Sequence, residues 1–527
     1  EGNVPLYFAI GAGNEAMVDR LIERGASLDP EYGNFLSFAI ACGHNHIAVN
    51  LIDNKGVDIN TVNEYDHTPL HNAINNSNFD IIPLLLDKGA NIHAVTAEGT
   101  TPFHLACAFG SAETVELLLE HGAQIDLPDG EGDTPMGCVA HEGNHLVLDV
   151  LLKRGAKFDI ANQQGYQPLH HAAALGHVKC VTMLLDSGAE NTPAIREQSQ
   201  AATPLHLATS RGQKGVVDLF LQRGYDIDTS DYDKQSLLLV ACGSERWDLA
   251  RFLMNKGANP NLSNSQGTAP LHIAIIHYET VELLLDHGAH PDPKNHDDLT
   301  PLLLCLQDGS LNTVELLKTK GAKVDQTNNW LHRVAHSGQV GSLTFLLDHE
   351  GLDIESRTQE NNDTALHVAS SMGHIDCIRL LLDRKPSMIQ LTNLQGHTPL
   401  HLAQSNVEVV RYLIERGADV MCGDITGDTP LHIAAMENEV ASIAYLLSCG
   451  VDVNILNHDG GTPLHCAADE KQRDATACLI ELGADVNIKN KAGLTALGIV
   501  LGKEETPTDP PSFSQEIIQL LQSNGAI

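Results

Sequence analysis

The sequence predicts an all-α solenoid, in which helix-turn-helix repeats stack on one another, β-hairpin tips join them, and the array curves into an elongated superhelix. Two observations predict this fold. The tetrapeptide Thr-Pro-Leu-His, whole or degenerate, marks sixteen positions at a spacing near 33 residues. A glycine then follows 21 residues after the first position of most copies. Two landmarks with one period indicate that all units share a structure and that each packs on its neighbours.

Both landmarks run along most of the chain. The intact tetrapeptides are Thr68–His71, Thr203–His206, Thr398–His401, Thr429–His432 and Thr462–His465. The glycines are Gly25, Gly56, Gly89, Gly122, Gly155, Gly188, Gly224, Gly257, Gly321, Gly450 and Gly483. The sequence therefore predicts one array of about 16 repeats over residues 1–527.

The repeat that begins at Thr101 shows how each element is predicted. Thr101 can cap the first helix, and Pro102 has the φ angle of a first helical residue and lacks the N–H that would go unpaired there. The apolar stretch 114–119 predicts a second helix, which Gly122 ends in a left-handed conformation. Asp-Gly-Glu-Gly at 129–132 predicts a hairpin that turns back into the next repeat.

A period near 33 that carries Thr-Pro-Leu-His-x-Ala resembles the ankyrin repeat, and the resemblance covers the whole chain. It implies a protein–protein interaction scaffold or adaptor, because ankyrin proteins generally bind partners through the hairpin tips and the concave inner-helix face. The alternative is the targeting or substrate-recruiting arm of a larger protein whose activity lies outside this chain. That protein would be a channel, a ubiquitin-ligase adaptor, a membrane-traffic regulator or a secreted bacterial effector.

The resemblance also implies one modification. Leu446 and Leu479 are each followed, after five residues, by Asp-Val-Asn. This spacing is similar to that in substrates of the asparagine hydroxylase that acts on ankyrin proteins. Asn454 and Asn487 are therefore candidate hydroxylation sites, provided that the source contains that enzyme.

The charge is the extreme feature of the composition. The chain has 68 acidic and 32 basic residues, which gives a net charge of −36. This charge argues against binding to nucleic-acid phosphates. It favours a protein partner with a basic segment, or it serves only to keep a long surface soluble.

The remaining composition points to an intracellular protein. No run of eighteen apolar residues is present, so the sequence predicts no direct membrane insertion. No secretory signal or lipidation motif is visible. Eleven cysteines lack close paired spacing and are expected to be reduced thiols, buried at positions such as Cys107, Cys242 and Cys466. We expect a cytoplasmic monomer, in the host cytosol if the protein is a secreted effector.

No catalytic residue, cofactor or metal is predicted. The sequence contains no phosphate-binding glycine loop, nucleophile elbow, HExxH or CxxC motif. Its 28 histidines suggest metal binding, but ten of them are the fourth residue of the tetrapeptide and lack a cysteine or carboxylate at ligand spacing. We therefore interpret the motif histidines as structural and the chain as non-enzymatic.

Partner binding is predicted at the tips. The candidate acids are Asp129, Glu131, Asp133, Asp231, Asp233, Asp297 and Asp298. The candidate aromatic anchors are Tyr65, Tyr166, Tyr232, Trp247 and Tyr278. Trp330, which replaces the motif proline, is predicted to lie in the core. The alternative for the acids is that aspartate and glycine simply belong to the turn.

Three departures from the period predict irregular structure. Between Gly321 and the next repeat the hairpin is shortened, which predicts a change of curvature or a boundary between sub-arrays at 320–365. The Pro- and Thr-rich segment 503–514 is predicted to be a flexible insertion. The first helix, at 6–10, is as apolar as an internal one, which predicts further chain upstream.

Overall fold

A computed structural model describes residues 4–29, 34–63, 65–194, 202–324, 329–502 and 511–527. In these residues the helices form sixteen successive pairs, numbered here as repeats 1 to 16. The first helices are Val4–Gly11, Phe35–Ala41, Pro69–Asn75, Pro102–Phe109, Pro135–Glu142, Pro168–Leu175, Pro204–Ser210, Leu237–Gly243, Pro270–Ile273, Pro301–Asp308, Trp330–Ser337, Ala365–Ser371, Pro399–Leu402, Pro430–Met436, Pro463–Asp469 and Ala496–Gly502.

The second helices carry the broader apolar faces that the sequence predicts. They are Glu15–Glu23, Asn45–Asp53, Ile82–Asp87, Ala112–Glu120, His145–Lys153, Val178–Asp186, Lys214–Gln222, Trp247–Asn255, Tyr278–Asp286, Leu311–Thr319, Val340–His349, Ile375–Arg384, Val407–Glu415, Val440–Ser448, Arg473–Glu481 and Pro511–Ser523. Short 3₁₀ turns adjoin them at Phe79–Ile81, Ala274–Ile276 and Pro386–Gln390. No described helix is both long and apolar enough to cross a membrane.

The motif threonine and histidine bond reciprocally at the start of the first helix. In repeat 14 the N–H of Thr429 donates to Nδ1 of His432 at 3.1 Å, and the Thr429 hydroxyl lies 2.9 Å from the same nitrogen. Pro430 occupies the first turn, where no N–H is needed. This arrangement satisfies donors that a helix start would otherwise leave unpaired.

The other nitrogen of the motif histidine reaches the next repeat. In repeat 14, Nε2 of His432 donates to the carbonyl of Gly461 at 3.2 Å. Both ring nitrogens have such partners in six repeats, at His71, His206, His367, His401, His432 and His465. Because Nδ1 has to accept the threonine N–H, the single ring proton is on Nε2 and the imidazole is neutral. The motif histidine thus joins consecutive repeats.

The tips are tight loops rather than paired strands. In repeat 5 the N–H of Asp129 donates to the carbonyl of Asp133 at 2.9 Å and closes a five-residue tip loop. Among the described residues the only β-type pairings are the isolated bridges Ser230–Ser236 and Arg357–Thr364. The predicted hairpin turn is present, but each loop is too short to extend into strands.

Neighbouring tip loops are bonded to each other through the backbone. The N–H of Gln163 donates to the carbonyl of Glu131 at 3.0 Å, and the N–H of Ser265 donates to that of Asp233 at 3.0 Å. The same bond recurs in repeats 13 to 16, where Leu394, Ile425, His458 and Lys491 donate. Side chains on successive tips are therefore presented at a fixed spacing.

Two repeats have a shortened first helix. Pro270–Ile273 in repeat 9 and Pro399–Leu402 in repeat 13 have four residues each, whereas the other first helices have seven or eight. In these two repeats the glycine that follows the second helix, Gly288 or Gly417, comes 19 residues after the first motif position instead of 21. The missing residues are therefore taken from the end of the first helix.

The contacts divide the chain into two compact units within repeat 9. Unit 1 comprises Glu1–Ala274 and Asp286–Ala289, and unit 2 comprises Ile275–Leu285 and His290–Ile527. Each unit has its own core, with Phe103 and Phe220 fully buried in unit 1 and Leu302 and Leu464 buried in unit 2. The change of curvature at 320–365 stays a prediction.

Repeat 11 differs at its helix start. Asn329 replaces the capping threonine and takes a left-handed conformation with a φ of 48°. Trp330 replaces the proline and is 2% exposed, so its predicted core position is confirmed. Nδ1 of His332 is buried without a hydrogen-bond partner, because the threonine that would supply one is missing.

The segment 503–514 was expected to be a flexible insertion. Residues 503–510 lie outside the described residues. The second helix of repeat 16 begins at Pro511, so residues 511–514 of the predicted loop are helical.

Candidate protein-binding groove

Two of the predicted tip acids hold their own loops. One carboxylate oxygen of Asp129 accepts the N–H groups of Glu131 and Asp133, both at 2.9 Å. Asp231 accepts those of Asp233 and Gln235 at 3.0 and 2.8 Å. Asparagine makes the same pair of bonds in other loops, at Asn63, Asn162, Asn264, Asn295, Asn393, Asn457 and Asn490. Since a neutral amide serves equally well, these acids have a structural role.

Asp133 is tied to the next repeat. Its carboxylate accepts from Nδ2 of Asn162 at 3.0 Å and lies 3.2 Å from Nε2 of His171. Burial raises the pKa of this carboxyl, but its hydrogen bond with His171 and the charge of that ring outweigh the burial, so the pKa lies below its usual value. Asp133 is therefore a paired group and not a solvated tip charge.

Glu131 and Asp233 have side chains that no described residue binds. Their backbone carbonyls join neighbouring tips, while their carboxylates have no hydrogen-bond or ion-pair partner in the part of the chain that the structure describes. Both occupy the third position of a tip loop. Of the five acids predicted in unit 1, these two retain a charge that a partner could neutralise.

The first cleft lies between the tips and the first helices of repeats 5 to 7. It has a volume of about 490 Å³. The lining residues are Glu131, Asp133, His141, Asn162, Gln164, Tyr166, His170, His171, Ala174, Leu175, Leu207, Arg211 and Gln213. The cleft thus combines carboxylates, imidazoles, a phenol, a guanidinium and exposed aliphatic surface.

A second cleft continues from the first. Its volume is about 310 Å³, and its lining residues are Ala202, His206, Leu207, Ser210, Asp231, Asp233, Gln235, Leu239, Val240, Gly243 and Ser244. Leu207 lines both clefts. We call the two clefts together the groove, which lies wholly within unit 1.

One buried polar atom in the wall of the first cleft is unpartnered. His170 is 1% exposed, and its Nε2 has no hydrogen-bond partner. The carbonyl equivalent to the acceptor of other motif histidines is that of Ala202, which accepts the N–H of Ala194 at 3.3 Å. His104, in a repeat with a regular tip, also has an Nε2 without a partner. Burial lowers the pKa of this histidine to about 4, which keeps the ring neutral.

The predicted aromatic anchors are distributed over different surfaces. Tyr166 lines the first cleft, is half-buried, and stacks on His170 with ring centres 5.6 Å apart. Tyr65 and Tyr232 are 63% and 85% exposed on tip loops, as expected for anchors. Trp247 and Tyr278 each begin a second helix and do not line the groove.

The other acids lie in unit 2. Asp297 and Asp298 are exposed on the tip of repeat 10, and Asp298 takes a left-handed conformation with a φ of 57°. A further acid on a tip loop of this unit, Asp424, accepts two backbone N–H groups and lies 3.1 Å from Nε2 of His397. Tip acids therefore differ in their contacts from repeat to repeat.

Sequence reasoning missed the residues that line the helix side of the first cleft. His141, His171, Leu175 and Arg211 follow the motif by four to eight residues, a position where sequence reasoning sought only core residues. Leu175 is 44% exposed because it is the last residue of a first helix, so the signal in the sequence was its position and not its residue type.

The candidate hydroxylation sites have structural contacts. Oδ1 of Asn454 accepts the N–H of Asp485 at 2.9 Å, and Asn487 contacts the carbonyl of Gly525 and the N–H of Ile527. These bonds tie each asparagine to the segment that follows its repeat. Their modification stays a prediction.

The chemistry of the described residues is otherwise plain. No group of three or more histidine, cysteine or acidic side chains in the described ranges is arranged to hold a metal ion. All eleven cysteines are free thiols. Burial raises the pKa of Cys242 to about 12, so this thiol is not a reactive thiolate at neutral pH.

Comparison with known families matches one model, described as ankyrin repeats, in six segments. They are residues 36–129, 125–195, 193–264, 238–328, 331–424 and 420–490. The matches include every residue of the groove.

Three relatives match only part of their own length. Transient receptor potential cation channel subfamily A member 1 of Homo sapiens is 29% identical over 287 residues, which are 45% of this chain and 25% of the relative. Ankyrin repeat protein nuc-2 of Neurospora crassa is 35% identical over 185 residues, 34% of this chain and 17% of the relative. Human B-cell lymphoma 3 protein is 28% identical over 233 residues, 41% of this chain and 51% of the relative.

A solved structure is also similar in part. The human ASB11 ankyrin repeat domain aligns with a TM-score of 0.37 and 24% identity, covering 43% of this chain and 100% of that domain.

Proposed function

The chain belongs to the ankyrin-repeat family, and on that premise we propose that its groove binds an extended segment of a partner protein. Ankyrin repeats mediate protein–protein interaction. The observation that carries the proposal is that two clefts of neighbouring repeats share a lining residue, Leu207. Adjoining clefts over several repeats suit a chain segment better than a small molecule.

The lining of the groove supports a protein partner. Tyr166 offers an aromatic face, and Leu175 and Leu207 offer aliphatic surface beside polar groups. Interfaces of this mixed kind derive most of their affinity from a few aromatic and charged anchors surrounded by near-neutral contacts. We place the anchors at Tyr166 and Tyr232, on tip loops of the same unit.

The finer features of the role follow from charge and composition. A net charge of −36 favours a partner with a basic segment and disfavours nucleic acid. We propose a monomeric, cytoplasmic scaffold or adaptor without catalytic activity of its own. Burial keeps the ring of His170 neutral and raises the pKa of Cys242 to about 12, so neither group is an activated acid or nucleophile at neutral pH.

Two matched leucine substitutions test the groove. Leu175→Asp places a charge in the first cleft, while Leu146→Asp places one on the second helix of repeat 5, outside the groove. Both leucines are exposed, by 44% and 63%, so neither change disrupts the core. Crosslinking capture from source-cell lysate, followed by mass spectrometry, should identify partners retained by Leu146→Asp and lost by Leu175→Asp. Partners that both variants capture equally would contradict the groove as the binding site.

The second candidate function is that of a targeting or recruiting arm in a larger protein. The supporting observation is that the matched segments are 25%, 17% and 51% of the lengths of three relatives. A channel, a ubiquitin-ligase adaptor, a membrane-traffic regulator or a secreted effector could each use the array in this way. Intact mass of the natural gene product tests this candidate, because a product with no residues beyond these 527 would contradict it.

A further inference from the structure

We infer that the first cleft recognises a segment that carries a basic and an acidic side chain about six residues apart. This inference rests on the proposed function and specifies the partner. It starts from two opposite charges in one cleft. Glu131 and Arg211 both line the cleft, and neither side chain has a partner among the described residues.

The acidic end is suited to a lysine or arginine. Glu131 stands at the tip side of the cleft, where Asp133 contributes a second carboxylate. Tyr166 lies on the same side, and its ring can stack against a cation. Asp133 is already paired with Asn162 and His171, so Glu131 is the carboxylate at this end that is open to a partner.

The basic end is suited to a carboxylate. Arg211 follows the first helix of repeat 7, Pro204–Ser210, and so stands at the opposite end of the helices from the tips. Gln213 also lines the cleft, where its amide N–H donates to the carbonyl of Ala174 at 3.2 Å. The planar guanidinium can bind a carboxylate through two N–H groups.

The spacing follows from repeat geometry. Glu131 and Arg211 are two repeats apart across the stack, about 16–20 Å, and about 10 Å apart along the first helices. The diagonal of about 20 Å corresponds to about six residues of extended chain at 3.3 Å each. This distance also explains why the two charges do not pair with each other.

The experiment is selection of random dodecapeptides displayed on phage against the full chain, followed by affinity measurement with fluorescent synthetic copies. Selected peptides should share a Lys or Arg and an Asp or Glu about six residues apart, in one constant order. Glu131→Gln should lower affinity about tenfold for such a peptide and not for its copy with the basic residue replaced by alanine. Arg211→Glu should instead select peptides with a second basic residue.

Matched controls lie outside the groove. Glu120→Gln, at the end of the second helix of repeat 4, and Arg154→Glu, directly after the second helix of repeat 5, make the same changes at exposed residues and should leave peptide affinity unchanged. Circular dichroism melts of all variants would show that the fold is retained.

The outcomes separate the two proposals. Peptides whose binding needs Tyr166 but is indifferent to Glu131→Gln and Arg211→Glu would overturn the charge pattern and leave the groove as a binding site. If no selected peptide depends on Tyr166 or Leu175, both the charge pattern and the proposed function are wrong.

Discussion

Repeats 14 and 11 perform the same packing task with different helix starts. In repeat 14, Thr429 bonds Nδ1 of His432 twice, and Nε2 of that ring reaches Gly461 in the next repeat. In repeat 11, His332 still donates to the carbonyl of Asp363 at 2.9 Å, but its Nδ1 has no partner. The link between repeats has therefore been kept while the cap has been lost. This difference separates the two roles of the motif histidine.

Lowering the pH should reduce the stability of the chain more than any single substitution, because it protonates the motif histidines of all regular repeats together. Burial lowers the pKa of His71 and His401 to about 4. An unfolded histidine titrates near 6.5, so between these values the unfolded chain binds more protons and stability falls as the pH falls. Below pH 4, each such histidine lowers the free energy of unfolding by about 3 kcal/mol. Several of them together approach the whole stability of a typical domain. Denaturant titrations from pH 7.5 to 4.5 should show this loss.

Repeats 14 and 11 should respond differently to acid. Protonation of His432 at Nδ1 places a second donor opposite the N–H of Thr429 and breaks that hydrogen bond, whereas protonation of His332 at Nδ1 breaks no bond. Hydrogen exchange at pH 5 should therefore expose repeat 14 more, relative to pH 7, than repeat 11. Equal stability at pH 7.5 and 4.5 would contradict the prediction, because it would show that the folded chain binds protons at these histidines as readily as the unfolded chain does.

Single substitutions at the two histidines should differ in the same sense. His432→Ala removes bonds at both nitrogens and leaves the Thr429 N–H and the Gly461 carbonyl unpaired, which should destabilise by about 2–4 kcal/mol. His332→Ala removes one bond and should destabilise by about 1–2 kcal/mol. Local hydrogen exchange is the suitable measurement, because long repeat arrays do not unfold in one cooperative step. If His332→Ala destabilised its repeat more than His432→Ala, the hydrogen bonds at the start of the first helix would contribute little to stability.

The period and the caps were predictable because they depend on residues close in sequence. Thr101, Pro102 and His104 act within one helical turn, and their pattern alone indicates the helix start. The closing glycines are likewise local, since Gly122 adopts a φ of 93° that a side chain would oppose. These local rules recur in every regular repeat, so the family and the fold followed from them.

The groove was predicted only in part, because its chemistry depends on contacts between repeats. Tip acids look alike in sequence, yet Asp129 holds its loop, Asp133 binds the next repeat and Glu131 is free. A longer-range signal was present. Asp133, Asp363 and Asp428 each accept from an asparagine 29 or 30 residues later, at 3.0, 2.9 and 2.7 Å. An aspartate directly before the motif threonine thus indicates a structural acid when an asparagine follows at that distance.

The tip acids provide a third comparison with a smaller effect. Asp129→Ala removes the acceptor of two backbone N–H groups and should destabilise repeat 5 by about 1–2 kcal/mol. Glu131→Ala, two residues away, should change stability by less than about 0.5 kcal/mol. Asp129→Asn is the control, since the asparagine found in other loops should retain both bonds. Hydrogen exchange of the amides of repeat 5 would measure all three, and equal losses for Asp129→Ala and Glu131→Ala would contradict the assignment of roles.

The smallest effect is expected at Asn329, where the comparison with repeat 14 can be reversed. Asn329→Gly should change stability by no more than about 0.5 kcal/mol, because glycine adopts a φ of 48° without strain. Asn329→Thr should destabilise by about 1 kcal/mol if the backbone keeps that left-handed conformation, which a β-branched residue disfavours. Thermal melts of the two variants would decide between backbone and side chain as the cause. If Asn329→Thr instead stabilises, the threonine has capped the helix and bonded Nδ1 of His332. The missing cap would then result from the residue at this position and not from the shortened loop before it.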